Sequence, residues 1–81
     1  MYTEEMANSF HAITAPKDFG VTLVEFDNFI SVQVDPNDLI DVSQEKAEEI
    51  VDYLNRVKST LESFGVLVNI SREAIEDAEY N

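Results

Sequence analysis

Cysteine is absent from this chain of 81 residues. That absence removes disulfides, thiolate metal sites and thiol catalysis together. Packing and hydrogen bonds are left to hold the fold, which suits a reducing compartment. Tryptophan is also missing, and glycine and proline number only two each. Isolated glycines such as Gly20 and Gly65 cannot build the phosphate-cradling loops of nucleotide-binding folds. No apolar run approaches the roughly 18 residues of a membrane helix. The opening Met1-Tyr2-Thr3-Glu4-Glu5 lacks the positive and apolar regions of a secretory leader. The expectation is a cytoplasmic protein without membrane contact. No internal repeat, low-complexity tract or linker divides it, so residues 1–81 read as one domain.

Bases are scarce too. Five face 17 acids, for a net charge of −12 and a pI near 4.1. Self-repulsion at that level works against a compact state, so the excess calls for a reason. Solubility is one reason, and a cationic partner surface is another. Direct binding of bare nucleic acid is disfavoured, because phosphate recognition needs a basic footprint. At 44% apolar residues the chain nevertheless has enough hydrophobic material for a globular core.

Catalysis has little to draw on. His11 is the single histidine, and no partner that would position it as a general base can be named. No serine sits in a Gly-x-Ser-x-Gly elbow. Carboxylates are so numerous that no pair stands out as an acid/base couple. Asp35, Asp38 and Asp41 recur at three-residue intervals and could offer oxygen ligands to calcium. The central glycine and closing glutamate of a calcium loop are missing, however, so turn and cap duty explains them better. The expectation is a non-enzyme with no cofactor and no metal.

What is present reads as an α+β domain in the order α-β-β-α-β-α. Thr3 caps a first helix extending to about Thr14, with Glu4 and Glu5 where the helix dipole favours negative charge. Met6, Phe10 and Ile13 form its apolar stripe. Residues 21–26 and 29–34 are β-branched and aromatic runs around Asp27-Asn28, predicting a hairpin with a two-residue type I′ turn. That register puts Val21, Leu23, Ile30, Val32 and Val34 on one face, interrupted only by Glu25 at the tip. Thr22, Val24, Ser31 and Gln33 take the other face, with Phe26 and Phe29 at the tip. Leu39, Ile40 and Val42 tuck a connector onto the core.

Asp41 or Ser43 then caps the main helix, 44–63. Ala47, Ile50, Val51, Leu54, Val57, Leu61 and Phe64 are expected along one face, and Gly65 as a left-handed stop. A third strand, 66–70, returns parallel to the second by a right-handed crossover, at a place in the sheet left open. Ser71 caps a short last helix around Ile75. The result is a small three-stranded sheet with the main helix on one face. Leu54 and Val32 are expected in its core.

Three features mark a candidate partner-binding surface. Between Lys17 and Lys46 no base occurs, while the acids Asp18, Glu25, Asp27, Asp35, Asp38, Asp41 and Glu45 do. Glu45, Glu48, Glu49 and Asp52 crowd the first two turns of the main helix as like-charge neighbours, which a solvated helix face also explains. Phe26 and Phe29 stand among acids at the hairpin tip, either as interface anchors or as a cross-strand pair covered by the first helix.

The expected function is that of a non-catalytic acidic binding or inhibitor protein. It would occupy a basic surface on a larger protein; in the narrower case that surface is one meant for DNA or RNA, whose phosphates the carboxylates would imitate. Size and charge, by association rather than by motif, suit a phage or mobile-element nucleic-acid mimic acting in the host cytoplasm. The alternative is an acidic structural subunit or adaptor that forms an oligomer through an apolar interface. The oligomeric state is left open.

Overall fold

The structure, a computed structural model, describes residues 2–71. Helix α1 spans Glu4–His11, strand β1 Val21–Glu25 and strand β2 Phe29–Val34. A short 3-10 turn at Pro36–Leu39 follows, then helix α2, Gln44–Glu62, and strand β3, Leu67–Ser71. This is the expected α+β order as far as β3. The predicted last helix around Ile75 lies outside the described residues.

Local chemistry accounts for the boundaries. The Thr3 hydroxyl accepts from the Met6 N–H at 3.2 Å and starts α1. The helix stops at His11 rather than near Thr14, with Ala12 as its C-cap. There the Ile13 N–H turns back to the Phe10 carbonyl in a tighter i→i+3 bond, and Ala15, before Pro16, resists helical geometry. Ser43, not Asp41, caps α2 by accepting from the Lys46 N–H at 3.1 Å. Asp41 instead takes a left-handed turn, φ 56°. Gly65, φ 86°, ends α2 in the conformation that only glycine adopts at little cost.

The sheet order is β1-β2-β3. β1 and β2 pair antiparallel in the expected register, from Val21 opposite Val34 to Glu25 opposite Ile30. The turn between them departs from the type I′ prediction. Neither Asp27 nor Asn28 has positive φ, and the Phe26 N–H closes the tip onto the Phe29 carbonyl at 2.8 Å. Without a glycine at the tip, both residues avoid the left-handed region they merely tolerate. β3 lies parallel beside β2, Leu67 opposite Phe29 and Ile70 opposite Val32.

Both helices cover one face of this sheet. Ile30, Val32, Val34 and Val68 point into the core from the strands, and Met6, Ile50, Tyr53, Val57 and Leu61 meet them from the helices. The stripe of α2 is therefore rotated from the predicted one. Leu54 is only half-buried, Ala47 and Phe64 are exposed, and Val51 is 58% exposed. Ile50, Tyr53, Val57 and Leu61 follow 3.6-residue spacing, and Val51 sits one residue, about 100°, off that line. Tyr53 takes the place given to Leu54 because Phe19 meets its ring edge-on, centroids 6.0 Å apart at 89°. In the connector Leu39 and Val42 pack on the core as expected, whereas Ile40 is exposed.

Candidate functional site

The other face of the sheet lies away from the core packed by the two helices, although Ser31 at its centre is buried. Its outward positions are Thr22, Val24 and Phe26 from the first arm, Phe29, Ser31 and Gln33 from the second, and Leu67, Asn69 and Ser71 from β3. None carries a charge. In a chain whose residues are 27% charged, such a stretch of surface is conspicuous. Phe26 and Phe29 stack there, ring centroids 4.7 Å apart at 14°. The pair is not covered by α1, as one sequence reading had it, because α1 packs on the opposite face. Phe26 is 45% and Leu67 67% exposed. They form an apolar end to the open face at the hairpin tip.

Glu25 does not share that face. It alternates to the helix side, where Glu25 Oε2 accepts from the Tyr2 backbone N–H at 2.9 Å. That hydrogen bond holds its carboxyl below the usual range. Tyr2, Phe10, His11 and Leu23 surround it in a small recess beside α1. His11 itself is exposed and tilts against Phe10, ring centroids 5.3 Å apart. Asp27 stays at the tip, exposed.

The remaining candidate acids gather at the far end of the molecule. β2 runs from Phe29 at the tip to Val34, about 17 Å away at strand rise, and Asp35 follows directly. Asp35 accepts from the Asn37 N–H at 2.9 Å and caps the 3-10 turn. Asp38 is half-buried and Asp41 exposed. Since α2 ends at the tip, where β3 begins, its acidic first turns lie at the Val34 end. Glu45, Glu48, Glu49 and Asp52 recur at i, i+3, i+4 and i+7 and are all exposed. Such neighbours have Cβ atoms about 5–6 Å apart. The candidate residues thus divide into two groups, the hairpin tip and an acidic arc running from Asp35 to Asp52.

Few bases relieve the arc. Asp52 pairs with Arg56, Nε to Oδ2 at 3.0 Å, the one ion pair joining two described side chains. Lys46 turns its ammonium back to the Lys17 carbonyl and ties the 12–18 segment to α2. Among the described residues no three of His, Asp and Glu converge as metal ligands, so Asp35, Asp38 and Asp41 do not close an oxygen cage. No helix among them is long and apolar enough to cross a membrane.

Two features escaped sequence reasoning. One is the charge-free sheet face as a whole, which emerges only once β3 is placed beside β2. The other is a groove of about 610 Å³ between residues 12–16 and α2, with Tyr53 in its lining. The Met6–Phe10–Ile13 and α2 stripes hinted that these segments meet, but nothing in their spacing indicated a gap. No family model, no curated protein and no solved structure matches the chain.

Proposed function

We propose that this protein is a non-catalytic binding protein that engages a basic surface of a larger protein through the arc from Asp35 to Asp52. The observation that carries this reading is the gathering of Asp35, Asp38, Asp41, Glu45, Glu48 and Glu49 at one end. The nearest ammonium, Lys46, is engaged elsewhere. Exposed like charges at helical spacing cost stability. A cationic surface offsets that cost on contact, and the field of the arc speeds encounter. A basic surface that otherwise holds DNA or RNA phosphates fits this pattern of carboxylates. In this reading Phe26, Phe29, Glu25 and Asp27 stand apart from the arc, at the hairpin tip.

The test is capture of the partner at rising salt with two matched variants. Asp35→Asn, Asp38→Asn and Asp41→Asn together remove three charges from the arc. Glu73→Gln, Glu76→Gln and Asp77→Asn together remove three from elsewhere in the sequence. The first set should weaken binding by tenfold or more, chiefly through slower association, and the second far less. Melting curves accompany both, because a lost cap alone costs about 1 kcal/mol. Equal losses in both sets, or undiminished capture at about 1 M salt, where screening reaches about 3 Å, would rule the arc out.

A second reading has its own observation, the uncharged sheet face with Phe26 and Leu67 exposed and Phe29 half-buried beside them. Apolar surface of that kind marks contact sites. It supports the adaptor alternative, in which the protein joins an oligomer through this face while its acids keep it soluble.

A further inference from the structure

Tyr53 is only 5% exposed, yet its hydroxyl makes no hydrogen bond to any protein group. No fully enclosed side-chain oxygen or nitrogen of the described residues lacks a partner. The Tyr53 oxygen therefore meets open space, and that space is the groove between residues 12–16 and α2. Unpaired within the protein and open to solvent, that hydroxyl is free to pair with an incoming group in a groove of ligand-binding size. Burial also raises its pKa, so it stays protonated across the physiological range.

The walls are fixed. Ile13, Ala15 and Pro16 form one side. The segment that carries them is tied to α2 twice, by Lys46 on the Lys17 carbonyl and by Phe19 against the Tyr53 ring. Glu49 and Asp52 stand on the other side with Arg56. Arg56 is engaged with Asp52, whereas Glu49 has no partner among the described residues. The groove thus combines apolar walls, an aromatic ring, a free hydroxyl and one uncompensated carboxylate.

We propose that this groove receives the side chain of a single arginine from the basic partner, an inference that rests on the reading of the acidic arc above. The aliphatic stem lies along Ile13 and Pro16, and the guanidinium donates to the Tyr53 hydroxyl oxygen and the Glu49 carboxylate. A planar guanidinium suits this combination better than a lysine ammonium, because it donates in a fork to two acceptors at once. The groove gives the partner a fixed position where the arc alone supplies only attraction.

The test titrates the full chain, ¹⁵N-labelled, with acetyl-Ala-Arg-Ala-amide and with its neutral citrulline counterpart, followed by amide shifts. The arginine peptide should give saturable shifts at Ile13, Thr14, Ala15 and Tyr53, with Kd on the order of millimolar. The citrulline peptide should bind about tenfold more weakly, as expected when a charge-assisted hydrogen bond is lost. Tyr53→Phe and Glu49→Gln should each weaken the arginine peptide about tenfold. Tyr53→Phe should leave melting unchanged, since the hydroxyl bonds to nothing in the fold. If it misfolds, Glu49→Gln, at an exposed site, decides alone. Equal affinity for the two peptides overturns the proposal, as does a response to neither. A parallel titration with nona-arginine separates the two readings. Shifts confined to the 3-10 turn and the first turn of α2 overturn the groove and leave the arc standing, whereas no shift at low salt overturns both.

Discussion

The acidic arc and the open sheet face are opposites made from one chain. The arc concentrates charge on a loop and a helix start, where its acids lie at the surface and the fold asks little of them. The open face spreads uncharged residues over three strands, and its shape exists only when β3 pairs with β2. Charge on the arc was free to accumulate because Asp35 and Ser43 meet the local backbone demands and, of the remaining acids, only Asp52 is held, by Arg56. On the sheet, each outward residue has a cross-strand neighbour within about 5 Å, so a carboxylate there would lie against another side chain. Where a protein keeps its charge, and where it keeps none, can therefore separate two kinds of contact before any partner is known.

The largest expected effect tests what the two regions share. Leu61 is fully buried between α2 and the sheet, and Leu61→Ala should cost about 2–5 kcal/mol in a urea or thermal melt. Since α2 carries half the arc and roofs the sheet, both surfaces should be lost in one transition. A change confined to one of them would show that they are independently stable.

Leu67→Asp is a smaller perturbation that separates the regions. At this exposed position stability should move by no more than about 0.5 kcal/mol. Any self-association seen by light scattering at high protein concentration should disappear, and arc-dependent capture should persist. Loss of capture with an intact melt would instead place the working contact on the sheet.

The smallest effect concerns Glu25, the acid that belongs to neither surface. Its carboxyl is held below its ordinary value of 4.5 by the hydrogen bond from the Tyr2 N–H. A depressed pKa adds stability that is fully present above the unfolded value and is lost as pH falls through the folded one. The stability gap between the parent and Glu25→Gln should therefore be constant above about pH 5 and close below 4.5. A gap unchanged at pH 3 would mean that the carboxylate's charge contributes nothing.

Much of this was legible in the sequence, for reasons that are local. Thr3, Ser43 and Gly65 act on backbone groups three or four residues away, and the hairpin register follows from alternation across a short turn. The acids of the arc were named one by one. What could not be read depends on contacts distant in sequence. Tyr53 displaced Leu54 from the core because Phe19, far away in the chain, offered its ring. Val51 was assigned inward because an apolar side chain at roughly the right spacing looks alike from either side of a stripe. Glu25 and Phe26 looked like one cluster, although adjacent strand residues point to opposite faces. The tip and the arc seemed continuous until strand length put the body of the sheet between them.

The parallel pairing of β3 with β2 also sets the order in which the molecule can come into being. An antiparallel hairpin such as β1–β2 closes quickly but is marginal alone. β3 can join it only after the whole of α2 has been made and laid across the sheet, a long excursion of chain to close. On the ribosome, a product stopping at Gly65 has Leu61 and Val57 but no Val68 to complete the layer beneath them. The open sheet face is then incomplete. The open face therefore takes form only when β3, Leu67–Ser71, has been made and reaches its slot beside β2.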